Sequence, residues 1–168
     1  SVFDDIWHHI LLTIDVNGNA MLYVDNIADS ILQNITLTSS YTNLNISYSA
    51  SYDNSTAPLR RSICNIDDFR IYNKVLTAFE IESLYYNAIK KDINTDLIAH
   101  YKFNNNLNDI TDNQYDLINV ETILYSNEHN IIGDSSIYLS NNAYLYTPST
   151  LNPYNVWNGK GITLSAWF

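Results

Sequence analysis

Only one cysteine, Cys64, occurs in the 168 residues, so the chain forms no internal disulfide. Glycine is nearly as scarce, four in all, so left-handed turn positions fall to other residues, Asn first among them. Lys and Arg total 8 against 18 Asp and Glu, a net charge of −10. That balance argues against nucleic acid, whose phosphates require clustered cations. It argues equally against a polybasic membrane contact. No apolar run approaches the ~18 residues that a membrane-spanning helix needs. A signal peptide is also missing, but Ser1 begins inside a strand pattern. The natural N-terminus is therefore expected to lie upstream, and the missing leader carries no information.

What is present is a large apolar and aromatic content. The chain is 46% hydrophobic and 13% aromatic, with 14 tyrosines, enough to bury a sizeable core and to exclude a disordered acidic tail. Its length suits one domain or two partial ones. Cys64 lies in the apolar stretch 63–66 and reads as a small buried hydrophobe, not a reactive thiol. Three glycosylation sequons begin at Asn34, Asn45 and Asn54.

Along the chain, Ile6, Ile10, Leu12 and Ile14 alternate with Trp7, His9, Leu11 and Thr13, a strand pattern. Asn17-Gly18 supplies a turn, and Ala20, Leu22 and Val24 continue a second strand. A two-residue loop would set Leu22 and Val24 on the wrong face. A three-residue loop with Gly18 left-handed instead pairs Leu12 with Leu22 and Ile10 with Val24, and that register is expected. Further strands read at 31–37, 43–49, 64–72, 97–103, 136–140, 143–146 and 162–168. One stretch changes period. Thr77-Ala78-Phe79-Glu80 is a capping box with Leu76 and Ile81 placed as a staple. Ile81, Leu84, Tyr85 and Ala88 then form one apolar stripe, predicting a short helix to about Ile89. Many short strands, polar turns and a lone helix predict an all-β antiparallel sandwich.

Three stretches resemble the laminin G-like jelly rolls of the concanavalin A-like lectin and glucanase superfamily. They are Trp7-His8-His9-Ile10 with Leu22-Tyr23-Val24-Asp25-Asn26; Ile66-Asp67-Asp68-Phe69-Arg70-Ile71-Tyr72 with Glu80-Ile81 and Leu84-Tyr85; and Leu97 to Phe103 with Ile162-Thr163-Leu164-Ser165-Ala166-Trp167-Phe168. The second is the family's most specific signature and normally closes the domain. Residues 1–91 thus resemble the end of one module and residues 96–168 the opening of the next, with 92–95 as linker. Either the chain derives from a tandem array, or its halves pack as one permuted sandwich. Asn26 and Asn65 stand where the family usually has Gly, and both are expected to tolerate a left-handed turn.

The resemblance implies a glycan-hydrolase motif of alternating acids, Glu-x-Asp-x-(x)-Glu, in the family's enzymes, and that motif is absent here. Nucleophile-elbow, phosphate-loop and zinc-ligand spacings are absent too. His8 and His9 are neighbours on a strand and face opposite ways, which suits no shared metal. The chain is therefore read as non-catalytic. Calcium is the one cofactor implied: Asp109, Asp112, Asn113 and Asp116 crowd one loop with hard oxygen donors, and an Asx-rich turn is the alternative reading. Asp67 is a separate candidate. It shares strand parity with Phe69 and Ile71, so it needs backbone N–H partners, the expected solution, or a cation. For carbohydrate, Trp7 and Tyr23 lie opposite the Ile/Leu row, and Tyr154 and Trp157 crowd a second region near Pro153. Trp7 and its neighbours also read as packing residues.

The function expected is an extracellular, cell-surface or virion-surface structural and adhesive repeat. Neighbouring copies of the chain are its expected partners, through strand complementation at the Ser1 and Phe168 ends. A carbohydrate-binding lectin module is the rival reading, and an accessory domain of a glycan hydrolase is a weaker one.

Overall fold

In the computed structural model, which describes residues 4–35, 44–46, 48–49, 60–61, 63–86, 96–140, 143–152 and 160–168, the alternating segments become antiparallel strands. In chain order these are β1 (His9–Ile14), β2 (Ala20–Val24), β3 (Ile27–Leu32), β4 (Asn45–Ile46), β5 (Tyr48–Ser49), β6 (Arg60–Arg61), β7 (Cys64–Tyr72), helix α1 (Ala78–Tyr86), β8 (Leu97–Tyr101), β9 (Ile118–Val120), β10 (Leu124–Ser126), β11 (Ser136–Leu139), β12 (Tyr144–Tyr146) and β13 (Ile162–Trp167). An eight-stranded sheet runs β10-β11-β7-β13-β1-β2-β3, with β8 joining β7; β4-β12-β9 form a second sheet, and β5 pairs with β6.

The first hairpin takes the three-residue loop. Leu12 faces Leu22 and Ile10 faces Val24. Asp15 holds the loop, its Oδ1 accepting the Asn17 and Asn19 N–H groups at 2.8 and 2.9 Å. Gly18 is required twice over: its φ is +79°, and a Cβ there would lie 2.3 Å from the Ile35 carbonyl oxygen. The second hairpin departs from expectation, because β3 starts at Ile27 and not near 31. Asp25 and Asn26 both take positive φ, 50° and 66°, forming the tight two-residue turn whose twist matches the flanking strands. Asn26 thus fills a glycine's role. Asn65 does not; it lies in regular β7, and the left-handed residue of that strand is Asp68, φ 52°.

Asp68 marks a bulge. Against β13, Arg70 pairs with Ser165 and Asp67 with Trp167, so two β7 residues oppose one. The extra residue resets the alternation, letting Ile66 and Phe69, three positions apart, both enter the main core. That core draws Ile14, Ile71 and Ala166 from the large sheet and Ile46 and Leu145 from the smaller one. On the large sheet's other face, Leu11 and Tyr72 meet Leu76, Ile81 and Leu84 around α1, each such aliphatic burial contributing roughly 1.5–3 kcal/mol.

Helix α1 starts with its capping box formed. The Thr77 Oγ1 accepts the Glu80 N–H at 3.3 Å, and Glu80 Oε2 accepts the Thr77 N–H at 2.9 Å. Residues 87–89, the expected end of the helix, lie outside the described residues. The two segments that resemble different modules share one sheet: β13 lies between β1 and β7. At its end, His8 and Phe168 exchange backbone hydrogen bonds of 2.7 and 2.8 Å.

Candidate binding groove and the buried polar network

The carboxylates of the Ile66–Tyr72 signature are held inside the molecule. Asp67 is fully buried and accepts three backbone N–H groups, from Asp68 at 2.8 Å, Ile131 at 2.7 Å and Ile132 at 2.8 Å. These satisfy the carboxylate in the way backbone donors can, although burial still pushes its pKa upward. Asp68, turned to the other face by the bulge, accepts from His100 Nε2 at 2.5 Å and pairs with Arg70 Nη2 at 2.9 Å. Burial holds the His100 pKa below the ordinary imidazole value, despite that carboxylate.

The adjacent histidines diverge as their strand positions require. His8 bridges Asp25 at 2.6 Å and Asp4 at 2.9 Å, and these two carboxylates raise its pKa. His9 is buried, its Nε2 2.7 Å from Ser165 Oγ and its Nδ1 without a partner among the described residues. Burial pushes its pKa down to about 4, because a second ring proton would have no acceptor.

Several of the calcium candidates carry hydrogen bonds from the protein itself. Asp109 has both oxygens engaged, by the His100, Thr111 and Tyr115 N–H groups and the Thr111 hydroxyl at 2.8–3.0 Å. Asp116 Oδ1 accepts the Asp109 N–H at 2.9 Å, and the Asn113 amide donates to the Ile98 carbonyl at 2.9 Å. Asp112 is exposed, and Asp67 is committed to the N–H groups already named. The 109–116 loop thus has the hydrogen bonding of an Asx-rich turn.

Of the aromatic candidates, Tyr23 packs beside the α1 cluster and Trp7 is half-buried. Tyr154 and Trp157 lie outside the described residues. Asn34 and Asn45 are exposed, and Asn54 lies outside the described residues. Cys64 is half-buried beside the main core, and burial pushes its thiol up to about 11, the signature of an unreactive sulfur.

A groove of about 580 Å³ opens along the β10-β11-β7 edge, and sequence reasoning missed it. Leu124 pairs with Tyr138 and Tyr138 with Asn65, placing three side chains in one row across three strands. Tyr125 and residues 126–129 supply the wall. Neither β9 nor β10 was expected as a strand; each is three residues long, too short for periodicity to register. Comparison of the chain with family models, with curated proteins and with solved structures gives no match.

Proposed function

We propose that this chain is a non-catalytic structural and adhesive repeat of an extracellular, cell-surface or virion-surface protein, built as a laminin G-like jelly-roll sandwich. The observation that carries this reading is where the signature strand directs its chemistry. Asp67, Asp68 and His100 are buried in mutual or backbone hydrogen bonds, so they hold strands together and leave recognition to the surface. Two sheets feeding one core support the sandwich, and the exposed Asn34 and Asn45 suit a glycosylated exterior.

Neighbouring copies are the proposed partners. β13 is paired on both sides within the chain, whereas β3 is exposed along its length, with Ile27, Ile31 and Leu32 each at least 60% accessible. Such an edge is a template for strand addition. Sedimentation across micromolar concentrations should show association that Ile31→Lys abolishes; a monomer throughout that range would overturn this part. Incubation with β-glucans should release no reducing ends; sustained release lost on mutating an acidic pair would overturn the non-catalytic reading. Calcium remains a proposed ligand of the 109–116 loop, with the exposed Asp112, Asn113 and Asp116 as donors. A melting temperature raised by millimolar calcium, and insensitive to it in Asp112→Asn, would keep the ion; an unchanged value removes it.

A second reading, carbohydrate binding, is favoured by one observation, the edge groove, where the Asn65, Tyr125, Asn127, Glu128 and Tyr138 side chains have no hydrogen-bond or ion-pair partner among the described residues.

A further inference from the structure

We infer that the groove on the β10-β11-β7 edge is a binding site for a neutral carbohydrate chain, an inference that rests on the second reading above and names its place and ligand class. Most of the groove's polar side chains have unused hydrogen-bonding capacity. Asn65, Tyr125, Asn127, Glu128 and Tyr138 all line it, and none has its side chain in a hydrogen bond or ion pair with another described residue. Two amides, two phenols and a carboxylate therefore stand in one concavity with their hydrogen-bonding capacity directed to solvent. The buried polar groups Asp67, Asp68, Asp109 and His100, by contrast, are committed within the fold.

The set discriminates between ligand classes. An amide both donates and accepts, and a carboxylate accepts from two adjacent hydroxyls, which matches the vicinal diols of a sugar. Tyrosine rings give flat apolar faces for the sugar's C–H surface. No Lys or Arg lines the groove, and the chain carries a net charge of −10. Phosphorylated, sulfated or sialylated ligands would therefore meet repulsion. Calcium is unsuited, since Glu128 is the groove's one carboxylate. Leu124 is the one aliphatic side chain in the lining, too little for an apolar peptide anchor.

The wall is also held in place before any ligand arrives. Asp67 fastens the Ile131 and Ile132 N–H groups at 2.7 and 2.8 Å. The Ser126 hydroxyl accepts the His129 N–H at 3.3 Å, and the Ser136 hydroxyl donates to the His129 carbonyl. A wall fixed in this way loses little conformational freedom on binding. The buried carboxylate of the signature strand thereby acts as a positioning residue for the groove.

Isothermal titration of the whole chain with neutral oligosaccharides (gluco-, manno-, galacto- and xylo-series), beside sialyllactose and a heparin oligosaccharide, tests the inference. Binding is expected for at least one neutral series and for neither anionic probe. Tyr138→Ala and Asn65→Ala should each weaken it by about tenfold, the loss expected for one stacked ring or one good hydrogen-bond pair. Unfolding curves of the variants, expected to match the parent because both side chains are only half-buried, separate a lost contact from a lost fold. Neutral-sugar binding that survives both substitutions would leave the second reading standing and overturn this placement. Binding of no neutral series overturns both, and preference for the anionic probes overturns the ligand class.

Discussion

His8 and His9 occupy successive positions and titrate in opposite directions. The two carboxylates beside His8 raise its pKa, so its contribution to stability is complete below the ordinary value near 6.5 and is lost as pH rises through the raised one. His9 is pushed down from 6.5 to about 4 by burial; its contribution is complete above 6.5 and is lost as pH falls toward 4. The full difference is on the order of 3 kcal/mol, and His100 shifts the same way. Urea titrations should therefore show stability falling between pH 6.5 and 5, before most carboxylates titrate, with His9→Gln flattening that limb. His8→Gln should flatten the decline on the alkaline side. At Asp67 the prediction concerns orphaned donors: Asp67→Ala leaves the Asp68, Ile131 and Ile132 N–H groups without their acceptor, the first of them buried, and about 2 kcal/mol or more should disappear from the urea-unfolding free energy.

Among the elements, α1 and the first hairpin depend on single local contacts. Thr77 accepts the Glu80 N–H and Glu80 returns the bond, so Thr77→Ala should cost about 1 kcal/mol by denaturant titration. Lys74 supports the same carboxylate at 2.9 Å, but a partly exposed pair of this kind adds little. Gly18→Ala should be more damaging, by about 2 kcal/mol or more, because it combines positive φ with a clash against backbone that is itself hydrogen-bonded to Gly18. Its effect should appear in the same unfolding curves, with no change in slope.

For the molecule as a whole, β13 is the strand on which the two segments depend. It pairs with β1 across the whole His9–Ile14 span and with β7 on its other side, and Thr163 accepts the Leu76 N–H at 3.1 Å while donating to the Lys74 carbonyl at 2.7 Å. A chain ending at Gly161 should lose cooperative unfolding altogether, as read by near-UV circular dichroism, since β1 and β7 would be left as bare inner edges. Pairing the first strand with the last also demands closure of most of the chain, so folding should be slow for its size.

The features legible in the sequence were those decided within about a dozen residues. The strand alternation, the three-residue loop at Gly18, the left-handed Asn26 and the capping box at Thr77 all rest on near neighbours, and the structure places them as the residues predict. Other features required partners from far along the chain. Asp67 finds its donors 64 and 65 residues away, and His9 meets Ser165 across 156. The Asp68 bulge answers β13, and periodicity within β7 could not reveal it, because an inserted residue erases the alternation that periodicity measures. The groove likewise exists only where three strands from separate regions align Leu124, Tyr138 and Asn65. Local side-chain chemistry therefore determined which elements form, and tertiary pairing decided which polar groups are buried and satisfied and which remain open to a ligand.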